Sequence, residues 1–304
     1  MTTGSVQARS KLMSARPHHT TQPVALRGGG ARLCPGPDRG SSAAPRSRSC
    51  FACLVKYVGI DLAWAERNRT GVAVLNDAGK LVSCRSVVTD EKLAAGLPSG
   101  SGLVVAIDAP LIVRNQTGQR RCEKRVGQLY GYANASAHTS NLSRAQFRPE
   151  PRGARLAHRF GWDLDPHVRP DNGRSVCIEV YPHPAMVVLF GLDNVIQYKA
   201  KSGRDLDFLR AQHAILLGHM ERTCGPLLRL DESEDWHRLR DGVESATRKV
   251  DLRVVEDQVD AVLCAFLAWM WANARDEMQV LPEDHHGIGD ADLDQGYIVT
   301  PRVR

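Results

Sequence analysis

The chain predicts an α/β fold in which a mixed five-stranded sheet carries helices on both faces. Three observations point there. Residues 54–88 hold three apolar, β-branched runs separated by turn signals. Two more such runs, at 102–110 and 175–184, stand between helical stretches. The second half carries long segments with apolar residues at helical spacing.

The first run, "LVKYVGIDLAW", reads as a buried strand that ends at Asp61. "TGVAVL" (70–75) is the second strand, "NDAG" (76–79) is a turn, and "KLVSCRSVV" (80–88) is the third strand of an antiparallel meander. "DEKLAAGL" (90–97) reads as a short helix capped by Asp90. "GLVVAIDAP" (102–110) is a wholly apolar fourth strand that ends at Asp108 and is stopped by Pro110. A helix is expected around Arg120–Tyr132, followed by a long loop, "ANASAHTSNLSRAQFRPEPRGARL". "SVCIEVYPHP" (175–184) is the fifth strand, with Glu179 inside it. Helices are expected near 185–190, at 206–223 and over roughly 254–274, with a further candidate in "DWHRLRDGVESATRK". "GYIVTP" (296–301) closes the set as a short strand. If the crossover sets the fourth strand beside the first, Asp61 and Asp108 meet at one sheet edge, where open α/β sheets bind ligands.

Composition bounds the rest. With 304 residues, 42% of them hydrophobic, the chain can build one sizeable core. No apolar run of about eighteen residues exists, so no membrane helix is expected. The net charge of +6 is uneven: residues 1–50 hold eight Arg/Lys against one acid, Asp38, which leaves the remainder at −1. Residues 1–52, rich in Arg, Ser, Pro and Gly, are expected to form a disordered basic extension, and 53–304 one domain with a basic insertion at 113–174. The extension reads as a tail or as sequence upstream of a start at Met13, more than as an organelle address. Eight scattered cysteines, with a single C-x-x-C at Cys50 and Cys53, give little metal signal and suit a reducing, cytoplasmic compartment.

The chemistry gathers on acids. "EDQVDAVLCAFLAWMW" (256–271) is an apolar helix with Asp257 and Asp260 on one face near its entrance. Asp257 suits the positive end of the helix dipole. Asp260 is followed at once by Ala261, Val262 and Leu263, and a charge there needs a partner. With Asp61 and Asp108 at the strand ends, these carboxylates would repel unless cations neutralise them. Hard divalent ions, Mg²⁺ or Mn²⁺, are the natural match, and a pair about 3.5–4 Å apart can activate water against a phosphodiester. The expected catalytic set is Asp61, Asp108, Asp257, Asp260 and Glu179, with Asp61, Asp108 and Asp260 as metal ligands. Glu179 can serve such a site or pair with one of many arginines, and the sequence leaves both open.

The order "VGIDLAW", "AIDAPL", "GQRRCE", "IEVYPHPA", "QYKAKSGR" and "DQVDAVLCAF" resembles the predicted RNase H-fold nucleases of domain-of-unknown-function family 429, over roughly residues 55–301. The resemblance implies a ribonuclease H-like fold. It sets Asp61, Asp108, Asp257 and Asp260 on acidic positions of that fold and Glu179, Arg121, Glu123 and Lys199 in family motifs. The D-x-x-D-A helix also resembles the last helix of RNase H-fold Holliday-junction resolvases.

A nucleic-acid substrate is expected to meet Arg120, Arg121 and Lys199, and the insertion residues Arg148, Arg152 and Arg155. Residues 113–160 hold ten Arg/Lys against Glu123 and Glu150, with Tyr130, Tyr132, Phe147 and Phe160 interleaved. The leading expectation is therefore a divalent-metal-dependent nuclease. The alternatives are a non-catalytic nucleic-acid or nucleotide-binding module of the same fold and an actin- or sugar-kinase-like phosphotransferase. The latter would want a Gly-rich phosphate loop, and "DLAWAERNRTG" offers one glycine.

Overall fold

The computed structural model describes residues 55–303 apart from 65–67, 100–101, 171–173 and 284–292. The expected extension, with Cys34, Cys50 and Cys53, lies outside the described residues. Strands β1 (Lys56–Asp61), β2 (Thr70–Leu75) and β3 (Leu81–Val87) form the antiparallel meander. After the short helix α1 (Asp90–Ala94), β4 (Leu103–Ile107) returns parallel to β1. The insertion then supplies helices α2 (Arg121–Tyr130) and α3 (Arg152–Phe160) before β5 (Val176–Glu179) adds parallel to β4. The sheet order is β3-β2-β1-β4-β5. Helices α4 (Pro182–Phe190), α5 (Leu206–Thr223), α6 (Gly225–Leu228), α7 (Glu234–Ser245) and α8 (Lys249–Asn273) follow. Strands β6 (Met278–Leu281) and β7 (Ile298–Pro301) make a separate antiparallel pair. Among the described residues, no helix is long and apolar enough to cross a membrane.

Strand alternation divides the core in two. Tyr57, Ala73, Leu75, Val104, Ala106, Val176 and Ile178 face the layer of α4, α5, α7 and α8. Val58, Ile60, Val72, Leu103, Val105, Ile107 and Cys177 face the layer of α1 and α3. The larger layer centres on α8, whose segment Val259–Ala268 is wholly buried. Two glycines let that helix sit against the sheet. A Cβ on Gly59 would overlap the Ala261 carbonyl and the Ala265 nitrogen, and one on Gly71 would overlap the Asp257 carbonyl. Both are backbone atoms, so no side-chain rearrangement could relieve the overlap.

The segment after α2, expected as a long loop, contains α3. Pro149, Pro151 and Gly153 hide it in the sequence, yet the helix needs only to begin after Pro151 and end at Gly161, whose φ of 66° suits glycine. Its Ala154, Leu156 and Ala157 are buried while Arg155, His158 and Arg159 face outward. The cap of α1 is also corrected: Thr89, not Asp90, accepts from the Lys92 N–H. Strand β6 had no sequence signal beyond "MQVL", because a four-residue strand is too short for alternation to show.

Two arginines anchor the insertion. Arg120, 3% exposed, donates to Glu179 through Nη1 (2.9 Å) and Nη2 (2.6 Å) and to Glu123 through Nε (2.9 Å). The Leu111 N–H donates to Glu179 at 2.9 Å, and the Ser140 N–H donates to the Glu123 carboxylate at 3.1 Å. Arg152, 4% exposed, donates to Asp90 at 2.5 Å and to the Ala63 carbonyl at 2.7 Å. Arg120 meets two carboxylates and Arg152 one, each in a setting where an unpaired charge is costly.

Two outcomes follow for stability. Gly59→Ala is expected to destabilise the fold by about 3 kcal/mol, the upper part of the usual overpacking range, in denaturant unfolding; a loss under about 1 kcal/mol would contradict the close approach of α8. Arg120→Met should cost about 3–5 kcal/mol, because Glu123 and Glu179 lose their shared counter-charge. Near-neutral behaviour in the same unfolding experiment would mean that the network is not an energetic anchor.

Candidate carboxylate and lysine site

Register brings the strand-end acids together. Ile60 lies opposite Ile107, and the Asp108 N–H donates to the Ile60 carbonyl at 2.9 Å, so Asp61 and Asp108 leave neighbouring parallel strands side by side. Alternation turns both toward α8: Asp61 has the parity of Tyr57 and Gly59, and Asp108 that of Val104 and Ala106. Asp61 is also opposite Gly71, the residue that admits the Asp257 backbone. Hence Asp257 and Asp260, one turn apart on α8, arrive above the two strand ends. Glu256 joins them from the same helix.

A cation already stands among these acids. Lys199 Nζ lies 2.9 Å from Asp260 Oδ2 and 4.0 Å from Glu256 Oε1. Tyr198 donates its hydroxyl to Asp260 Oδ1 at 2.7 Å. Both come from the irregular segment between α4 and α5, which Arg204 braces by donating to the Lys199 carbonyl at 2.7 Å. The sequence placed Lys199 with the substrate contacts; its ammonium pairs with Asp260, because the fully buried carboxylate needs a counter-charge, while its side chain stays 29% exposed. Asp260 Oδ2 still lacks a hydrogen bond of proper geometry, despite the short ionic contact.

The electrostatics are those of a carboxylate group short of positive charge. Burial, then repulsion from Asp260, Asp108 and Asp257, holds the Asp61 pKa well above the usual carboxylate range, with Lys199 opposing. Asp108 is pushed up to about 7, first by burial and then by Asp260 and Glu179, again against Lys199. Burial raises Glu256 to about 7 and Asp257 to about 6, with Asp260 adding to both. Burial works against the Lys199 ammonium, but Asp260, Tyr198, Asp61 and Asp108 outweigh it and keep its pKa well above the ordinary value. His183, beside Tyr198 and bonded to the Tyr181 hydroxyl at 3.2 Å, is lowered to about 4 by burial and Lys199, and is neutral at pH 7.

The other expected site residues are elsewhere. Glu179 lies opposite Ile107 in the β4–β5 register and shares its parity, so it points to the other face and is taken by Arg120. It is a structural ion-pair partner and stands outside the acid group. Arg120 and Arg152 are corrected as substrate contacts by their burial in internal pairs. Arg148 and Arg155 are exposed on the insertion. Arg121, also exposed, lines a groove of about 610 Å³ with Lys124 and Arg125, against β6. Trp64, 38% exposed, packs against His138 and Phe147. Glu256 and Tyr198 were missed. Glu256 had a signal, because positions 256 and 260 share a helix face. Tyr198 had none, since its partner is 62 residues away.

The donor chemistry fits a hard divalent ion. Asp61, Asp108 and Asp260 offer carboxylate oxygens, the donors such an ion takes, and Asp260 Oδ2 is held by the Lys199 ammonium at 2.9 Å. Side-chain convergence is incomplete: among the described residues, no three His, Cys, Asp or Glu side chains lie close enough together to hold an ion as they stand.

Neither the curated proteins nor the solved structures contain a match to this chain. A family profile described as "Protein of unknown function (DUF429)" matches residues 59–287, a span that begins in β1 and contains all five acids and Lys199. By that match, the chain belongs to the DUF429 family.

Proposed function

We propose that the chain hydrolyses phosphodiester bonds in nucleic acid at the Asp61, Asp108 and Asp260 group, with Mg²⁺ or Mn²⁺ as cofactor. The observation that carries this reading is the meeting of two strand-end carboxylates with a helix pair around one lysine. Strand order β3-β2-β1-β4-β5 with an antiparallel β2 supports the ribonuclease H-like reading of the fold. Asp61, Asp108 and Asp260 would hold the ion, which supplies a water made nucleophilic at neutral pH and charge for the developing oxyanion. In the metal-free protein Asp108 holds its proton up to about pH 7, so binding the ion would displace that proton. Lys199, beside Asp260, presents an ammonium to a phosphate oxygen. Among the described residues, the buried free thiols at Cys84, Cys122, Cys177, Cys224 and Cys264 accord with action in a reducing cytoplasm.

One observation favours a second reading. The Lys199 and Asp260 pair gives Asp260 its counter-charge without any ion, as in a non-catalytic nucleic-acid or nucleotide-binding module of the same fold. A sugar-kinase-like phosphotransferase draws less support, because Gly71 is occupied in packing against α8 instead of cradling phosphate.

Cleavage of a mixed panel of single- and double-stranded DNA and RNA with Mn²⁺ is the direct test. Asp61→Asn should lower the rate by more than the roughly 10–100-fold that losing a supporting outer contact costs. Mn²⁺ should raise the melting temperature of the wild-type protein and leave that of Asp61→Asn nearly unmoved. No cleavage together with no metal-linked shift would favour the non-catalytic module.

The raised carboxyls also set a pH dependence for the metal-free protein. Their folded pKa values exceed the ordinary value near 4, so the folded state binds the extra protons. The stability this contributes is fully present below about pH 4 and is lost as pH rises through about 7. In chelator, the melting temperature of the wild type should therefore fall more steeply between pH 5 and 8 than that of Asp108→Asn. Parallel profiles would refute the assigned shifts.

A further inference from the structure

Cations outside the insertion act on the acid group: Arg69 and Arg253 both favour the charged form of Asp257. A groove of about 300 Å³ opens beside the first turns of α8, lined by Ala200, Lys201, Ser202, Lys249, Val250 and Arg253. It adjoins the acid group directly, for Ala200 follows Lys199, whose Nζ lies 4.0 Å from Glu256 Oε1. Lys201, Lys249 and Arg253 are exposed. Unlike Arg120 and Arg152, none of the three is held in an ion pair within the described residues. No acid lines the groove.

Helix geometry fixes their order. Lys249, Arg253, Asp257 and Asp260 recur every three or four residues, which sets them along one face of α8, cations first and carboxylates after. At about 1.5 Å per residue, Arg253 lies about 10 Å and Lys249 about 16 Å along the axis from Asp260. A nucleic-acid strand advances about 3.4 Å per nucleotide, so the row matches phosphates about three to five steps from the carboxylates. A mononucleotide could not reach both ends of such a row.

We infer that this groove is the track for a polyanionic strand leading to the carboxylates, and that the ligand is a polynucleotide extending several nucleotides to one side of the reacting phosphodiester. The inference rests on the proposed phosphodiester chemistry for the choice of ligand, but its residues lie outside the acid group. Lys199 marks the inner end of the track, where the row of cations gives way to the acids.

The test uses the full chain in the Asp61→Asn background, where cleavage does not consume the probe. Binding of fluorescent single strands of about 3, 6 and 12 nucleotides, and of a duplex of about 12 base pairs, is followed by anisotropy across a salt series. Affinity should rise steeply from the shortest to the middle length. Lys201→Gln/Lys249→Gln/Arg253→Gln should weaken binding of the longer probes at least tenfold. It should also flatten the slope of log K against log salt by about 2, as expected for three single-strand phosphate contacts. Arg148→Gln/Arg155→Gln should cost less. Lys201→Glu alone provides a second variant should the triple one melt early. Binding that all the groove variants leave unchanged, or that the insertion pair weakens more than the triple variant does, would overturn the groove and leave the chemistry standing. Failure of the parent protein to bind any probe would overturn both.

Discussion

Everything at the site depends on how closely α8 approaches the sheet. Gly59 and Gly71 remove the side chains that would hold the helix off, so helix backbone lies directly on β1 and β2. These two glycines also lie next to the chemistry. Gly59 is two residues before Asp61 on the same strand face, and Gly71 is the residue opposite Asp61 and beneath Asp257. A packing constraint thus becomes a positional one: the apolar stretch that buries α8 delivers its two aspartates onto the strand-end acids. The small neighbours Ala73 and Ala106 extend the same shallow bed.

Bringing acids together in a buried place has a cost, and the fold meets it unevenly. Asp260, the most buried, receives Lys199 and the Tyr198 hydroxyl. Asp61 and Asp108 have no ion-pair partner of their own among the described residues, and their protons are held more tightly as a result. That imbalance makes the group receptive to a cation, or to protons when no cation is present. It also explains why Lys199 matters to more than its immediate neighbour, since its field opposes the rise at Asp61, Asp108, Asp257 and Glu256 alike.

Elsewhere, positive charge serves architecture. The insertion is strongly basic in sequence, yet its two most buried arginines are tied to Glu123, Glu179 and Asp90. They fasten a segment of little regular structure to β5 and to α1. The exposed arginines of the same segment, Arg148 and Arg155 among them, remain at the surface. Net charge over a stretch of sequence therefore overstated how much of it faces a ligand.

By itself, the sequence determined the elements that local periodicity encodes. The meander, β4 and β5 each stood out as apolar runs, α5 was bounded at 206–223, and the aspartates were seen to end β1 and β4 and to share a face of α8. Period-two and period-3.6 patterns are properties of neighbouring residues, so they survive in one dimension. Only the tertiary structure decided the fate of each charge. Asp260 is 62 residues from its partner Tyr198 in the chain, the pairing of Arg120 with Glu179 spans 59 residues, and the face taken by Glu179 follows from its register against Ile107. A charged side chain inside a folded protein settles where burial, register and a counter-charge coincide. None of these three is a property of its sequence neighbours.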